Sequence, residues 1–138
     1  MKLPWPRTGA RAPSFITSFA TLALTDLALR RLGFARSVAL ARRFGKSRRP
    51  DQDHPELTEK VCRRLAMAAV FYPGRARCLE QSLALFVLLR RRAVPVRLRL
   101  GVQPYPFNAH AWVELNGAPL NERVETVRQF VPFEDFAV

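Results

Sequence analysis

The stretch "RARCLEQSLALFVLLRRR", residues 75–92, sets a cysteine at the mouth of a nearly continuous apolar segment. From Cys78 to Arg90, the residues Leu79, Leu83, Leu85, Phe86, Val87, Leu88 and Leu89 leave almost no polar side to a helix. A helix apolar on every side is buried all round, so this one is expected at the centre of the fold. Cys78 then stands where unpaired backbone N–H groups and the positive end of the helix dipole lower a thiol's pKa. Arg75 and Arg77 push the same way. A cysteine at a helix start also serves as ordinary packing, so the reading turns on whether a base lies within reach.

Downstream of this helix the hydrophobic period changes from helical to two. Val96, Leu98, Leu100 and Val102 alternate with Arg97, Arg99, Gly101 and Gln103, which predicts a half-buried strand. "PYPFN" (104–108) reads as a loop and "AHAWVEL" (109–115) as a second strand. Asn116-Gly117 is the strongest hairpin signal in the chain, and "APLNE" (118–122) begins the return strand. The tail "RVETVRQFVPFEDF" holds a short helical stretch followed by apolar anchors.

Upstream, "PELTEKVCRRLAMAAVFY" (55–72) predicts a helix with Leu57, Val61, Leu65 and Ala68–Ala69 on its inner stripe. Cys62 falls beside that stripe and reads as packing. The charged, proline-containing segment 45–56 reads as a loop. Residues 14–34 place Phe15, Phe19, Leu22, Leu29 and Leu32 at roughly helical spacing, with Gly33 as the stop, and "ARSVALARRF" (35–44) forms a second short helix. Residues 1–13 are rich in Pro, Gly and Arg and read as irregular. Helices first and an antiparallel sheet after predict an α+β fold: a buried central helix against a sheet, with extra N-terminal helices.

At 138 residues, the expectation is a single domain over 1–138, with a helical segment and basic loop at 1–56 and a catalytic core at 57–138. The 23 Lys+Arg against 11 Asp+Glu give a net charge of +12, a field that draws acidic partners or is simply a solvated arginine-rich face. Nucleic-acid binding is the rival reading that charge alone suggests. It lacks a recognised binding motif, and the best-defined helix is too apolar to enter a groove. Two cysteines form no disulfide framework, and free thiols point to a reducing cytoplasm. The run "APSFITSFATLALT" (12–25) follows Lys2, Arg7 and Arg11 in the manner of a signal peptide. It is short and hydroxyl-bearing, and Asp26 and Arg30–Arg31 follow at once, so it reads as helix of the domain. No stretch reaches the roughly 20 apolar residues of a membrane span. Cys62, Cys78, His54 and His110 have no zinc-finger spacing.

A nucleophilic cysteine needs a base, usually His, and a third group to hold the imidazole. Of the two histidines, His54 lies in the charged loop, and His110 lies on the strand before the hairpin. The hairpin register leaves the third group open. A two-residue turn at Asn116-Gly117 sets Leu115 opposite Ala118 and Trp112 opposite Asn121, putting Asn121 on the face of His110. A bulge at Gly117 sets Glu114 opposite Ala118 and His110 opposite Glu122.

At "RCLEQSLALFVLLRRRAVPVRLRLGVQ" (77–103) and "AHAWVELNGAPLNE" (109–122), the sequence resembles the transglutaminase-like leader peptidase of lasso-peptide biosynthesis. That is the protease part of the B protein, expected here as a stand-alone chain without the leader-recognition domain. The match is tightest over residues 73–133. The resemblance implies a papain/transglutaminase-like core in which Cys78 is the nucleophile and His110 the general base and acid. The family's acidic third member aligns with Glu122, which favours the bulged register. Glu122 stands where the family usually has Asp, and Asn121 remains an alternative third member. The implied reaction removes the leader from a ribosomally made (RiPP) precursor and frees the core amino terminus. The same residues also serve amide transfer to an amine. The implied partners are the precursor peptide, a separate leader-binding (RiPP recognition element) protein and an asparagine-synthetase-like macrolactam cyclase. Neither nucleic acid nor membrane is an expected partner, and no metal or other cofactor is implied. The basic surface at Arg42–Arg43, Arg48–Arg49 and Arg90–Arg92 is available to dock a partner or an acidic leader.

Overall fold

The structure is a computed structural model and describes residues 12–45, 55–73, 78–104 and 107–132. Its elements are α1 (Phe15–Leu32), α2 (Phe34–Phe44), α3 (Pro55–Phe71), α4 (Cys78–Arg90), β1 (Arg97–Pro104), β2 (Phe107–Leu115), β3 (Ala118–Pro119), α5 (Val124–Val127) and β4 (Val131–Pro132). The strands form one antiparallel sheet in the order β3-β2-β1-β4.

Helix α4 is the axis of the molecule. It packs against α1, α2 and α3 on one side and against β1 and β2 on the other. Seven of its residues, Ser82–Phe86 with Leu88 and Leu89, are buried. They join Leu22, Val61, Leu65, Val96, Leu98 and Val113 in one core. Removing a leucine of this kind from water contributes about 1.5–3 kcal/mol. Beyond Arg90 the chain turns sharply. Ala93 takes a φ of 62°, Val94 N–H donates to Leu89 C=O, and Ala93 N–H donates to Arg90 C=O. This paired closure of a helix end returns the backbone straight into β1.

The N-terminal helices pack differently from the apolar stripe expected of α1. Its buried residues are Ser18, Leu22 and Thr25, while Phe15 and Leu32 stand exposed. Small side chains let two helices approach closely. Each buried hydroxyl is satisfied within its own helix, Ser18 on Ser14 C=O and Thr25 on Thr21 C=O. In α2, Ser37 does the same on Gly33 C=O. Ser14 caps α1 by accepting from Thr17 N–H at 3.1 Å. Gly33, at φ 81°, makes the corner between α1 and α2.

Strand β2 begins two residues earlier than the sequence pattern suggests: Phe107 and Asn108, expected in a loop, pair with Pro104 and Gln103. The return strand is correspondingly short, holding only Ala118 and Pro119. The alternation within β1 and β2 sorts their side chains. Leu98 and Val113, paired across the ladder, join the core with α4. The opposite face carries Arg99 and Gly101 paired with Trp112 and His110. Phe130, just before β4, closes over that face.

Candidate active site

Cys78 is the first residue of α4 and is half-buried. Its place at the head of an interior helix follows from the apolar run behind it, which cannot turn to solvent. One helical turn on, Ser82 Oγ donates to Ala111 C=O at 3.0 Å. Ala111 directly follows His110, so the amino-terminal turn of α4 is pinned to the strand segment that carries the histidine. Cys78 lies about 6 Å along the axis from that anchor. Helix α4 packs on the Val113 face of β2 while the His110 ring lies on the other, and among the described residues no hydrogen bond joins Cys78 to His110.

His110 shares its face of β2 with Trp112, and its ring joins Trp112 and Phe130 in one three-ring cluster. Trp112 is stacked at 6.1 Å and 27°, and Phe130 is tilted at 5.3 Å and 32°. The opposite position on β1 is Gly101. A Cβ there would come within 2.8 Å of Trp112 Cη2 and 2.9 Å of Phe130 Cβ. The bare glycine is therefore what lets both rings close on the sheet and cluster with the imidazole.

His110 Nε2 lies 2.8 Å from Glu122 Oε2. The other carboxylate oxygen accepts from Arg123 N–H at 3.0 Å. Burial pushes the Glu122 pKa up. The hydrogen bonds from the Arg123 amide, His110 and Thr126, with the attraction of the imidazole, outweigh it and hold the carboxyl below its ordinary value. Ionised Glu122 accepts only, so it fixes the proton on Nε2 and leaves the Nδ1 lone pair free to take another.

Asn121 is placed elsewhere. Its Oδ1 accepts from Val113 N–H at 2.9 Å, and its Nδ2 donates to Ser82 Oγ at 2.9 Å. This corrects the link between register and histidine partner. The hairpin takes the two-residue form, with Leu115 opposite Ala118 and positive φ at both Asn116 (53°) and Gly117 (82°). The bulged register is absent, yet Glu122 is the residue on His110. The strand rule fails because the ladder stops. Leu120 N–H still reaches Val113 C=O, but the return bond is made by the Asn121 side chain, and the chain bends away. Glu122 then swings onto the histidine face from outside the sheet.

Cys62 lies on α3 and is not part of this cluster. Burial, the dominant cause, pushes its thiol up to about 11, so it stays protonated at neutral pH. A cleft of about 360 Å³ between α3 and α4 is lined by Cys62, Gln81, Leu120 and Asn121, on a side that touches neither Cys78 nor His110. Among the described residues no group of three His, Cys, Asp or Glu comes together as a metal site, and no helix is long and apolar enough to cross a membrane. His54, Arg48–Arg49, Arg75 and Arg77 lie outside the described residues. Arg42, Arg43 and Arg91 are exposed, whereas Arg90 and Arg92 are partly covered.

Ser82, Gly101, Trp112 and Phe130 took no part in the sequence argument for the site. Two carried a signal: a lone hydroxyl inside a leucine-rich helix, and a glycine inside a strand, which marks a close approach. The Cys-initiated central helix and the sheet-borne histidine with its carboxylate suit one known family, and a family model described as the transglutaminase-like superfamily matches residues 21–135. The chain belongs to the transglutaminase-like superfamily. This superfamily is generally one of cysteine-dependent enzymes and includes peptidases and transferases. No curated protein and no solved structure gives a significant match.

Proposed function

We infer that this transglutaminase-like chain is a cysteine peptidase that removes the leader from a lasso-peptide precursor. The observation that carries the reading is the His110–Glu122 pair at 2.8 Å, held on the strand to which the head of α4 is pinned. In the reacting arrangement the head of α4 and the His110 ring meet at the edge of β2; with Nε2 held by Glu122, Nδ1 then takes the Cys78 proton, and the thiolate attacks the scissile carbonyl. The Cys78 backbone N–H, at the first position of the helix, supports the oxyanion. Gln81 lies inside the first turn and is poorly placed for that role. The His110 imidazolium, steadied by Glu122, protonates the leaving amine. Water then attacks the acyl-enzyme, His110 takes its proton, and the leader acid departs. The freed amine is the group a macrolactam cyclase joins to an Asp or Glu side chain. A separate leader-binding protein delivers the precursor, and the cytoplasm is the compartment that keeps Cys78 reduced.

The test is incubation with the precursor and leader-binding protein encoded beside this chain, followed by mass spectrometry. Cleavage at one bond, lost in Cys78→Ala and in His110→Ala, supports the reading. Turnover in either variant overturns it. Addition of a primary amine separates hydrolysis from amide transfer, since transfer adds the amine's mass to the leader fragment.

A further inference from the structure

Strand β2 is covered on its outer edge along only part of its length. β3 pairs with Glu114 and Leu115 and goes no further. Next, Val113 C=O receives Leu120 N–H, Val113 N–H is met by Asn121 Oδ1, and Ala111 C=O is met by Ser82 Oγ. These bonds identify the odd-numbered residues of β2 as those whose backbone groups turn away from β1, because such groups alternate along an antiparallel strand. The row continues upstream with the N–H of Ala111 and both groups of Ala109 and Phe107. Among the described residues, no partner meets them.

Sheet edges are normally blunted by charge, bulges or a covering segment. Here the pairing with β1 runs unbroken from Phe107 to Glu114, so no bulge interrupts it. Phe107, Asn108 and Ala109 are exposed and uncharged, Phe107 at 77%. Donors and acceptors therefore recur every second residue, about 7 Å apart, along the edge. That spacing matches the backbone of one extended polypeptide. A helix satisfies its own backbone groups and offers no such row. The inner end of the row reaches His110 and the residue on which α4 is pinned.

We propose that the outer edge of β2 from Phe107 to Ala109, which runs up to the buried Ala111, is the docking rail for an extended peptide that adds to the sheet and ends beside His110. Main-chain bonds supply the binding, and this makes the rail tolerant of the peptide's side chains. The proposal rests on the peptidase reading only in taking that peptide to be the substrate.

The experiment uses the full chain with Cys62→Ser. An acetylated hexapeptide of alternating Thr and Val, carrying an activated disulfide at its C-terminus, is tethered to Cys78. Tethering raises the local concentration without requiring any cleavage. Backbone amide exchange is read by NMR. The Ala109 and Phe107 amides are expected to slow by about tenfold or more. A peptide N-methylated at alternate residues is expected to lose that protection in one of its two registers. Unchanged exchange at both amides, or equal protection by both N-methyl registers, overturns the rail. Precursor cleavage without edge protection likewise overturns the rail and leaves the peptidase reading standing. Protection of the edge with no precursor cleavage supports the rail and overturns the peptidase reading.

Discussion

Gly101 lies directly across the β1–β2 ladder from His110, and the space a side chain would take there is filled by the Trp112 and Phe130 rings. The smallest substitution, Gly101→Ala, places a methyl 2.8 Å from Trp112 Cη2 and 2.9 Å from Phe130 Cβ. Trp112 or Phe130 must move, and both rings touch the imidazole. Overpacking of this kind costs about 1–3 kcal/mol. Denaturant unfolding is expected to show that loss, and precursor cleavage is expected to show kcat falling more than KM rises. Wild-type values for both would mean that the rings do not hold the histidine.

Glu122→Gln keeps the shape of the hydrogen-bonded group and removes its charge. The Glu122 pKa is held below its ordinary 4.5 in the folded chain. A carboxyl depressed in this way adds stability above its unfolded pKa, and the contribution is lost as pH falls through the folded value. The thermal stability gap between wild type and Glu122→Gln is therefore expected to be steady at neutral pH and to shrink below 4.5. Cleavage at neutral pH is expected to slow by about tenfold or more, because an uncharged partner does not steady the imidazolium. A stability gap that widens on acidification would contradict the assigned charge state.

Asn121→Ala tests a different job. It removes the acceptor for Val113 N–H and the donor to Ser82 Oγ. The expected result is a stability loss of about 1–3 kcal/mol, from a strand amide left without its partner. Cleavage per folded molecule is expected to fall less than in Glu122→Gln. The reverse ranking in a side-by-side assay would make Asn121 the histidine's partner during turnover.

The parts of the fold that were legible in sequence are those governed by one strong local rule. Helix α4 was readable because Leu83, Leu85, Phe86, Leu88 and Leu89 leave it no solvent face, and the hairpin because Asn116-Gly117 tolerates positive φ at both positions. On α1 the apolar spacing included the core residues Leu22 and Leu29 but gave no sign of the buried Ser18 and Thr25, a tertiary preference with no mark in the hydrophobic period. β4 holds two residues, too few for any alternation to show. At the site, Glu122 was named through family likeness, while the register argument for it failed. Strand parity holds only while a ladder continues, and the side chain of Asn121 ends this one.

The weight carried by α4 is measurable at Leu89, which is 0% exposed and far along the helix from Cys78. Leu89→Ala is expected to cost about 2–5 kcal/mol in denaturant unfolding, from lost burial and the cavity left behind. A cost below about 1 kcal/mol would show a core able to collapse around the gap.

The two thiols give the most direct comparison, since each serves as the other's control. Cys62 is pushed up to about 11 by burial on α3, so at pH 7 almost none of it is thiolate. Cys78 is the first residue of α4, on the helix turn pinned to the strand that carries His110. Iodoacetamide at pH 7 is expected to modify Cys78 about tenfold faster or more, with sites assigned by peptide mass mapping. Raising the pH toward 10 is expected to narrow the ratio as Cys62 begins to ionise. If His110 is the base for Cys78, His110→Ala is expected to slow labelling of Cys78 and leave Cys62 unchanged. Equal labelling of the two cysteines at neutral pH, or no response of Cys78 to His110→Ala, would separate the sulfur from the imidazole and leave the His110–Glu122 pair without a nucleophile to serve.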